Sequence, residues 1–203
     1  MAFDCAEILA EGIRSGQIGG NIDAQCEHAL DFAAFGGGAE AFSGHVADLG
    51  SGVGLPALVL ALSFDDTSWT LIERRSGRTD LLRRAVRRLG LSDRVEVVAD
   101  DAAIVGWSEH RSRADFVTAR SFGPPALTAE VAAPLLRPGG SLLTSEPRGG
   151  SVAARWPEDA LVRMGLELVE VWDTSTGRFV RLQRTDSDIP DLPRQVARKR
   201  PLF

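Results

Sequence analysis

Lysine, cysteine and long apolar runs are all scarce in this chain of 203 residues. No apolar run approaches the ~20 residues that a membrane-spanning helix needs. The N-terminal segment carries Asp4, Glu7 and Glu11 instead of a basic stretch before an apolar block, which disfavours a signal peptide. The two cysteines, Cys5 and Cys26, are too few for a disulfide framework and lack the spacing of a metal site. The sequence therefore predicts a reduced, cytoplasmic protein without a bound metal.

The charged residues are unevenly distributed. The formal net charge of -5 disfavours a protein that coats nucleic acid non-specifically, and of the 23 basic residues only Lys199 is a lysine. Two clusters leave two interpretations open: a solvated arginine face with a frayed tail, or a phosphate-binding surface. The first cluster contains Arg74, Arg75, Arg78, Arg83, Arg84, Arg87 and Arg88, and the second contains Arg194, Arg198, Lys199 and Arg200.

Strand and helix patterns alternate through most of the chain, which is long enough for one globular domain. Two helical patterns, over residues 3–13 and 23–35, come first. Strands are predicted at 45–49, 69–73, 95–98, 115–119, 141–144, 166–172 and 178–183, and helices at 55–63, 125–136 and 152–164, with an arginine-rich helix after the second strand. This order implies an α/β fold: a parallel sheet with helices on both faces and an antiparallel pair at one edge. We predict an N-terminal helical extension over 1–44, the main domain over 45–185 and a basic tail over 186–203.

A glycine-rich loop follows the first predicted strand. Gly50, Gly52 and Gly54 let the backbone turn tightly and approach a ligand closely, and the next helix directs free N–H groups toward the same place. The dinucleotide fingerprint needs a third glycine at position 55, which is leucine, so a pyrophosphate is disfavoured. Asp48 at the start of the loop suits a cationic or amino-bearing ligand better.

Acidic residues follow the next two predicted strands. Glu73 ends the second strand, where a carboxylate can accept hydrogen bonds from both ribose hydroxyls. The alternative is a surface acid at the start of the arginine-rich helix. Asp100 and Asp101 follow the third strand, where an acid or a backbone amide would contact adenine, but either could equally be an N-cap.

The loop from Asp48 to Pro56, Asp-Leu-Gly-Ser-Gly-Val-Gly-Leu-Pro, resembles the first motif of class I S-adenosylmethionine-dependent methyltransferases. Its Gly-Leu-Pro ending is similar to that of the bacterial 16S ribosomal RNA guanine-N7 methyltransferase G (glucose-inhibited division protein B) family. Segments 115–122, 134–140 and 192–202 are similar to that family's fourth-strand motif, its turn before the fifth strand and its basic C-terminal signature. His28-Ala29-Leu30-Asp31 is similar to a His-x-Leu-Asp segment of its N-terminal helices.

This resemblance implies a Rossmann-like class I methyltransferase fold with a seven-stranded, mostly parallel sheet. It also implies S-adenosylmethionine as donor and guanine N7 of ribosomal RNA, in the small ribosomal subunit, as acceptor. N7 has a free lone pair and no proton to lose, so catalysis would consist mostly of positioning. Arg120 and Ser121 are the implied catalytic residues, with Arg120 orienting the acceptor nucleotide or its phosphate. The implied cofactor residues are Asp48, Gly50, Ser51, Gly52, Gly54, Leu55, Pro56, Glu73, Asp100, Asp101, Ala102 and Arg120.

Three positions depart from the family pattern. The family's fifth strand typically ends in Leu-Lys-Gly, whereas this chain reads Thr-Ser-Glu-Pro over 144–147. Glu27 stands where an arginine usually precedes the histidine, and the family's Asn-Leu-Thr segment is missing. An acid beside the active site would repel a phosphate backbone, which leaves two alternatives: a methyltransferase of a small metabolite, and a catalytically silent paralogue that binds cofactor or RNA.

Overall fold

A computed structural model describes residues 4–36, 41–189, 191–194 and 201–203. Its strands are β1 (Gly44–Leu49), β2 (Thr67–Ile72), β3 (Val95–Val98), β4 (Ala114–Ala119), β5 (Leu136–Glu146), β6 (Leu166–Asp173) and β7 (Arg178–Arg184). Its helices are α1 (Cys5–Ile8), α2 (Ala10–Arg14), α3 (Ile22–Leu30), α4 (Ala57–Ser63), α5 (Ser76–Arg88), α6 (Ala102–Val105), α7 (Pro125–Ala132), α8 (Val152–Arg155) and α9 (Glu158–Arg163), with a 3-10 turn at Asp31–Ala33. None of the helices in these described ranges is long and apolar enough to cross a bilayer.

The strands form one sheet in the order β3-β2-β1-β4-β5-β7-β6. Strands β1 to β5 are parallel to one another, and β7 is antiparallel to both β5 and β6. The chain starts at β1 in the middle, moves outward to β3 and returns to β4. This reversal of strand order places a ligand-binding crevice at the carboxyl ends of β1 and β4.

Two apolar layers cover the sheet, one on each face. Successive strand residues point to opposite faces, so Leu142 packs in the layer with α7 and α9 whereas Leu143 packs in the layer with α3, α4 and α5. In β7, Phe179 packs in the layer with α3, α4 and α5, and Val180 packs in the layer with α7 and α9. Burial on both faces confirms the three-layer α/β architecture that the alternation predicted.

Several predicted helices are shorter or divided. The predicted helix over 152–164 is two helices, because Pro157 disfavours helical backbone at Trp156, whose φ and ψ are -127° and 70°. The predicted helix over 3–13 divides into α1 and α2 around Leu9, and α3 gives way to the 3-10 turn after Leu30. The predicted strand at 141–144 is the end of the longer β5, whose pairing with β4 shifts register after Ala114.

The N-terminal helices are held to α5 and to each other. Arg84 Nε lies 3.3 Å from Glu11 Oε2, and Arg88 Nη1 lies 3.8 Å from Glu7 Oε1. The prediction of two reduced cysteines is wrong in this structure: α1 packs against α3, and Cys5 and Cys26 form a disulfide. Arg84 and Arg88, which belong to the first arginine cluster, therefore bind the N-terminal helices of the same chain.

The second basic cluster is only partly within the described residues. The backbone N–H, Nε and Nη2 of Arg194 bind the carboxylate of Glu130 at 2.9, 2.8 and 2.8 Å, and Glu130 is 0% exposed. Arg194 thus pairs with a buried acid, because Glu130 would otherwise be an unpaired charge in the interior. Arg198, Lys199 and Arg200 lie outside the described residues. Beyond them, Leu202 and Phe203 pack against the core beside Trp156.

Candidate active site

The loop after β1 has the backbone that its glycines predicted. Gly52 and Gly54 have φ values of 58° and 107°, in the left-handed region that favours glycine. A Cβ at Gly54 would clash with the side chain of Leu58 in α4, so this glycine is needed for packing. A Cβ at Gly52 would have Gly50 O as its nearest neighbour at 3.7 Å, so this glycine leaves space open for a ligand.

A pocket of about 220 Å³ lies beside this loop, at the carboxyl ends of β1, β2 and β3. Four predicted cofactor residues line this pocket: Gly50, Glu73, Asp100 and Ala102. The predicted catalytic residue Ser121 lines it as well. The remaining residues of its wall are Ile72, Arg74, Arg75, Arg78 and Phe122. Ser51, Leu55 and Pro56 instead shape the turn into α4: the Ser51 hydroxyl donates to Asp48 O at 3.1 Å, and Pro56 is the N-cap of α4.

Glu73 connects β2 to the glycine loop. Its carboxylate accepts hydrogen bonds from the N–H groups of Gly52, at 3.1 Å, and Arg75, at 2.9 Å. Arg78 lies 3.9 Å away, and Glu73 is only 5% exposed. Carboxylate oxygens have further lone pairs, so Glu73 can still accept hydrogen bonds from a ligand in the pocket.

The two acids after β3 have different positions. The Asp101 carboxylate accepts a hydrogen bond from Ala103 N–H at 3.0 Å and is the N-cap of α6, a short helix that the strand pattern did not predict. Asp101 is absent from the pocket wall, which contains Asp100 and Ala102. Asp100 itself accepts from the Asp101 N–H at 2.7 Å. The structure thus favours Asp101 as the cap and leaves Asp100 in the wall of the pocket.

Asp48 is a buried acid with one unused oxygen. It is 1% exposed, and its Oδ1 accepts a hydrogen bond from the Thr118 hydroxyl of β4 at 2.6 Å. Its Oδ2 has no hydrogen-bond partner among the residues that the structure describes. Burial raises the pKa of Asp48 to about 6 and Glu73 adds to the rise, whereas hydrogen bonding to Thr118 and Ser51 and the charge of Arg120 oppose it. A buried carboxylate of this kind is costly unless a ligand supplies a donor.

Arg120 follows β4 and reaches across the sheet end toward α3. Its Nη2 donates to Gln25 Oε1 at 3.1 Å, whereas its buried Nη1 has no partner among the described residues. Burial lowers the pKa of Arg120, and the charge of Asp48 only partly opposes this effect. Ser121 has a φ of 53°, a strained value for a residue with a Cβ, and such strain is concentrated at functional sites.

The segment resembling His-x-Leu-Asp docks α3 onto the hairpin between β6 and β7. His28 Nδ1 lies 3.2 Å from the Thr176 hydroxyl, and Asp31 accepts a hydrogen bond from Thr174 Oγ1 at 2.6 Å. Burial and Arg120 lower the pKa of His28. These contacts place α3 beside Arg120 and form a second, open pocket there, lined by Ala24, Gln25, Glu27, His28, Arg120, Ser175 and Thr176.

Residues of α3 and α8 line the pockets of this region, and no sequence motif predicted this. Gln25 carries no motif, and only the folded chain brings it to Arg120. Arg155 of α8 forms an ion pair with Glu146, and this pair lines a third pocket with Trp156. The departure from the family pattern at residues 144–147 was the one sequence signal near that pocket. No group of metal ligands is formed by His, Cys, Asp and Glu within the described part of the chain.

Comparison with solved structures shows the fold. An O-methyltransferase family protein from Burkholderia thailandensis superposes with a TM-score of 0.60 at 16% identity, covering 80% of this chain and 56% of that one. Cofactor-bound Rv0187 from MTB superposes with a TM-score of 0.62 at 18% identity, covering 90% of this chain and 89% of that one. These likenesses, with the strand order above, confirm the class I methyltransferase fold.

Comparison of sequences gives the family. The family model described as rRNA small subunit methyltransferase G matches residues 26–151. Proteins named ribosomal RNA small subunit methyltransferase G are 32% identical over 171 residues in Thermotoga neapolitana, covering 81% of this chain and 74% of that one, and 34% identical over 178 residues in Mycolicibacterium gilvum, covering 86% and 77%. The relative of that name in Rubrobacter xylanophilus is 34% identical over 177 residues, and the match spans 79% of this chain and 66% of that one. The chain therefore belongs to the rRNA small subunit methyltransferase G family.

Proposed function

We propose that this protein transfers a methyl group from S-adenosylmethionine to guanine N7 of small-subunit ribosomal RNA, in the cytoplasm. The observation that carries the proposal is two buried atoms, one of an acid and one of a base, near the glycine loop. Asp48 Oδ2 and Arg120 Nη1 both lack partners among the described residues. The amino-acid end of S-adenosylmethionine carries an ammonium and a carboxylate, which would complete these two groups.

Asp48 and Arg120 are not in the wall of the pocket beside the loop, and that wall fits the remaining parts of the same molecule. Glu73 offers acceptor lone pairs for the ribose hydroxyls. Asp100 and Ala102 line the same pocket, which supports a site for adenine beside them. The open space over Gly52 leaves room for the part of the cofactor that connects its amino-acid end to the ribose. When bound, S-adenosylmethionine supplies a methyl group activated by a positively charged sulfur.

The acceptor assignment is supported by the family and by the chemistry of the site. Guanine N7 attacks with its own lone pair, so the protein needs to orient the base and exclude water rather than remove a proton. The relatives are named for small-subunit ribosomal RNA. The chain's own residues would then act by positioning, from the strained turn at Ser121 and from the neighbouring end of β5.

A second candidate, methylation of a small metabolite, is favoured by one observation. Ser145 and the buried acid Glu146 stand in the segment where the family pattern has a lysine, which weakens the attraction for a phosphate backbone. Labelled S-adenosylmethionine, incubated with small ribosomal subunits and separately with a metabolite extract, distinguishes the candidates. Label in ribosomal RNA supports the proposal, label only in a small molecule supports the second candidate, and tight cofactor binding without any transfer indicates a silent paralogue.

Replacing Glu73 with alanine should weaken binding of S-adenosylhomocysteine by roughly 1–3 kcal/mol, because the ribose hydroxyls lose their acceptor. The loop also loses its hydrogen bond from Gly52 N–H to the carboxylate. Isothermal titration calorimetry measures the change, with the exposed Glu96 of the adjacent strand replaced by alanine as the matched control. Equal affinities for Glu73→Ala and the control would place the ribose elsewhere.

Replacing Arg120 with alanine should raise the Kd of S-adenosylhomocysteine at least about tenfold, because a charge-assisted hydrogen bond to the cofactor carboxylate is lost. Arg120→Lys should lose less, since it keeps the charge but not the planar fork. Calorimetry of both variants, beside turnover with saturating cofactor, is the measurement. An unchanged Kd with greatly reduced turnover would assign Arg120 to the acceptor nucleotide instead.

A further inference from the structure

A pocket of about 340 Å³ adjoins the cofactor pocket and shares Ser121 and Phe122 with it. It lies at the carboxyl ends of β4 and β5, on the far side of Ser121 from Asp100. Thr128 of α7 and Arg155 of α8 close its other sides. Neighbouring strands are about 4.8 Å apart, so a ligand at the end of β5 in this pocket would lie about one strand spacing from the end of β4.

Two buried polar side chains line this pocket. Glu146 has a side chain that is only 3% exposed, and its Oε2 accepts a hydrogen bond from Arg155 Nε. Trp156 is 2% exposed, and its Nε1–H has no hydrogen-bond partner among the described residues. Buried donors and acceptors are rarely left unused, so an unpaired indole N–H beside a buried carboxylate indicates a ligand with matching groups.

We propose that this pocket binds the acceptor guanine and that Glu146 is the residue that selects it. This inference rests on the proposed function. The Watson–Crick edge of guanine presents two adjacent donors, N1–H and the 2-amino group, which a carboxylate accepts together. It also presents the O6 acceptor, to which Trp156 Nε1–H can donate. Adenine presents an acceptor at N1, so the same carboxylate would repel it.

The orientation that follows suits transfer to N7. In a purine, N7 lies on the five-membered ring, on the opposite side from the N1 and 2-amino positions. A guanine held at that edge by Glu146, at the end of β5, would therefore turn N7 back toward β4 and the cofactor pocket. Arg155 holds Glu146 in place, and a carboxylate acts as an acceptor only.

The first test is the effect of Glu146→Gln on turnover. The variant keeps the shape but replaces one acceptor with a donor, so kcat/KM for methyl transfer to small ribosomal subunits should fall about tenfold or more. The Kd of S-adenosylhomocysteine should not change. Glu158→Gln, at an exposed position at the start of α9, is the matched control and should behave as the unchanged protein. Full activity of Glu146→Gln would overturn the proposal.

The second test measures base selection directly and does not depend on activity. Ligand-observed NMR gives the affinities of guanosine, inosine and adenosine monophosphates for protein saturated with S-adenosylhomocysteine. Guanosine monophosphate should bind about tenfold more tightly than inosine monophosphate, which lacks the 2-amino group, and adenosine monophosphate should bind least. In Glu146→Gln the preference for guanosine over inosine should disappear.

The outcomes separate this inference from the proposed function. Equal affinities for the three nucleotides, no binding of any at millimolar concentration, or an undiminished guanosine preference in Glu146→Gln would each overturn the pocket assignment. A merely structural role of Glu146 would lower activity without changing that preference. If the preference is present but no ribosomal RNA is methylated, the proposed acceptor RNA fails and the guanine pocket stands.

Discussion

Replacing Gly52 with valine should abolish binding of S-adenosylhomocysteine, raising its Kd at least about 100-fold, while the protein still folds. The nearest atoms to a Cβ at this position are Gly50 O at 3.7 Å and Arg78 Nη1 at 3.9 Å, so the side chain has room in the protein alone. That room is the space proposed for the cofactor. Calorimetry with S-adenosylhomocysteine measures the loss, and circular dichroism verifies the fold.

A second glycine separates loss of space from backbone strain. Gly52 has a φ of 58°, so valine there also costs about 1–2 kcal/mol in strain. Gly90, after α5, has a φ of 69° and no atom within 4 Å of a Cβ, so Gly90→Val carries a similar strain away from the pocket. Both variants should lose similar stability, and only Gly52→Val should lose binding. Normal binding by Gly52→Val would place the cofactor elsewhere.

Replacing Asp48 with asparagine should make the protein more stable and at the same time remove most cofactor affinity. Burial raises the pKa of Asp48 from 3.8 to about 6. An acid whose pKa is higher in the folded protein than in the unfolded chain destabilises the fold once it is ionised, above that higher pKa. Each pKa unit corresponds to about 1.36 kcal/mol, so the ionised group costs about 3 kcal/mol at neutral pH. Asparagine avoids this cost and can still accept from the Thr118 hydroxyl.

The same pKa gives the binding a pH dependence. Below about pH 6 Asp48 becomes protonated, so it no longer attracts the ammonium of the cofactor, and the Kd should rise as the pH falls from 7 to 5. Asp48→Asn should show weak binding with little change over that range. Urea unfolding at pH 7 should show a gain of about 1–3 kcal/mol for the variant. Exposed Asp93→Asn is the matched control. A loss of stability in Asp48→Asn, or a retained affinity, would contradict this role for the buried carboxylate.

The sheet could be predicted from the sequence because its signals are local. Each strand is a short apolar run bounded by glycine, proline or acids, and the alternation of strands with helices determines their parallel pairing. Errors occurred where a local signal was given too little weight. Pro157 interrupts the predicted helix over 152–164. The strand predicted at 141–144 begins five residues earlier at Leu136, which pairs with Ala114 before the register shift between β4 and β5.

The cofactor pocket was partly predictable for the same reason. Asp48, Gly52 and Glu73 belong to the ends of adjacent strands, and the topology brings such ends together. Their roles toward a cofactor remain proposals. The distinction between Asp100 and Asp101 needed the position of α6, which only the folded chain provides.

Contacts between distant segments could not be predicted from the sequence. The bridge between Cys5 and Cys26 depends on how α1 packs against α3. Arg194 looked like a residue for binding phosphate, yet it pairs with the buried Glu130 of α7, 64 positions away along the chain. Such pairs depend on tertiary packing, which leaves no periodic signal in either segment.

The most direct test of the central claim is the identity of the methylated nucleoside. Small ribosomal subunits are incubated with the protein and S-adenosylmethionine labelled in its methyl group, and the RNA is digested to nucleosides and separated by chromatography. The label is expected in 7-methylguanosine, and the Gly52→Val protein should transfer none. Label in another nucleoside, or in no nucleoside while the protein binds S-adenosylhomocysteine normally, would contradict it.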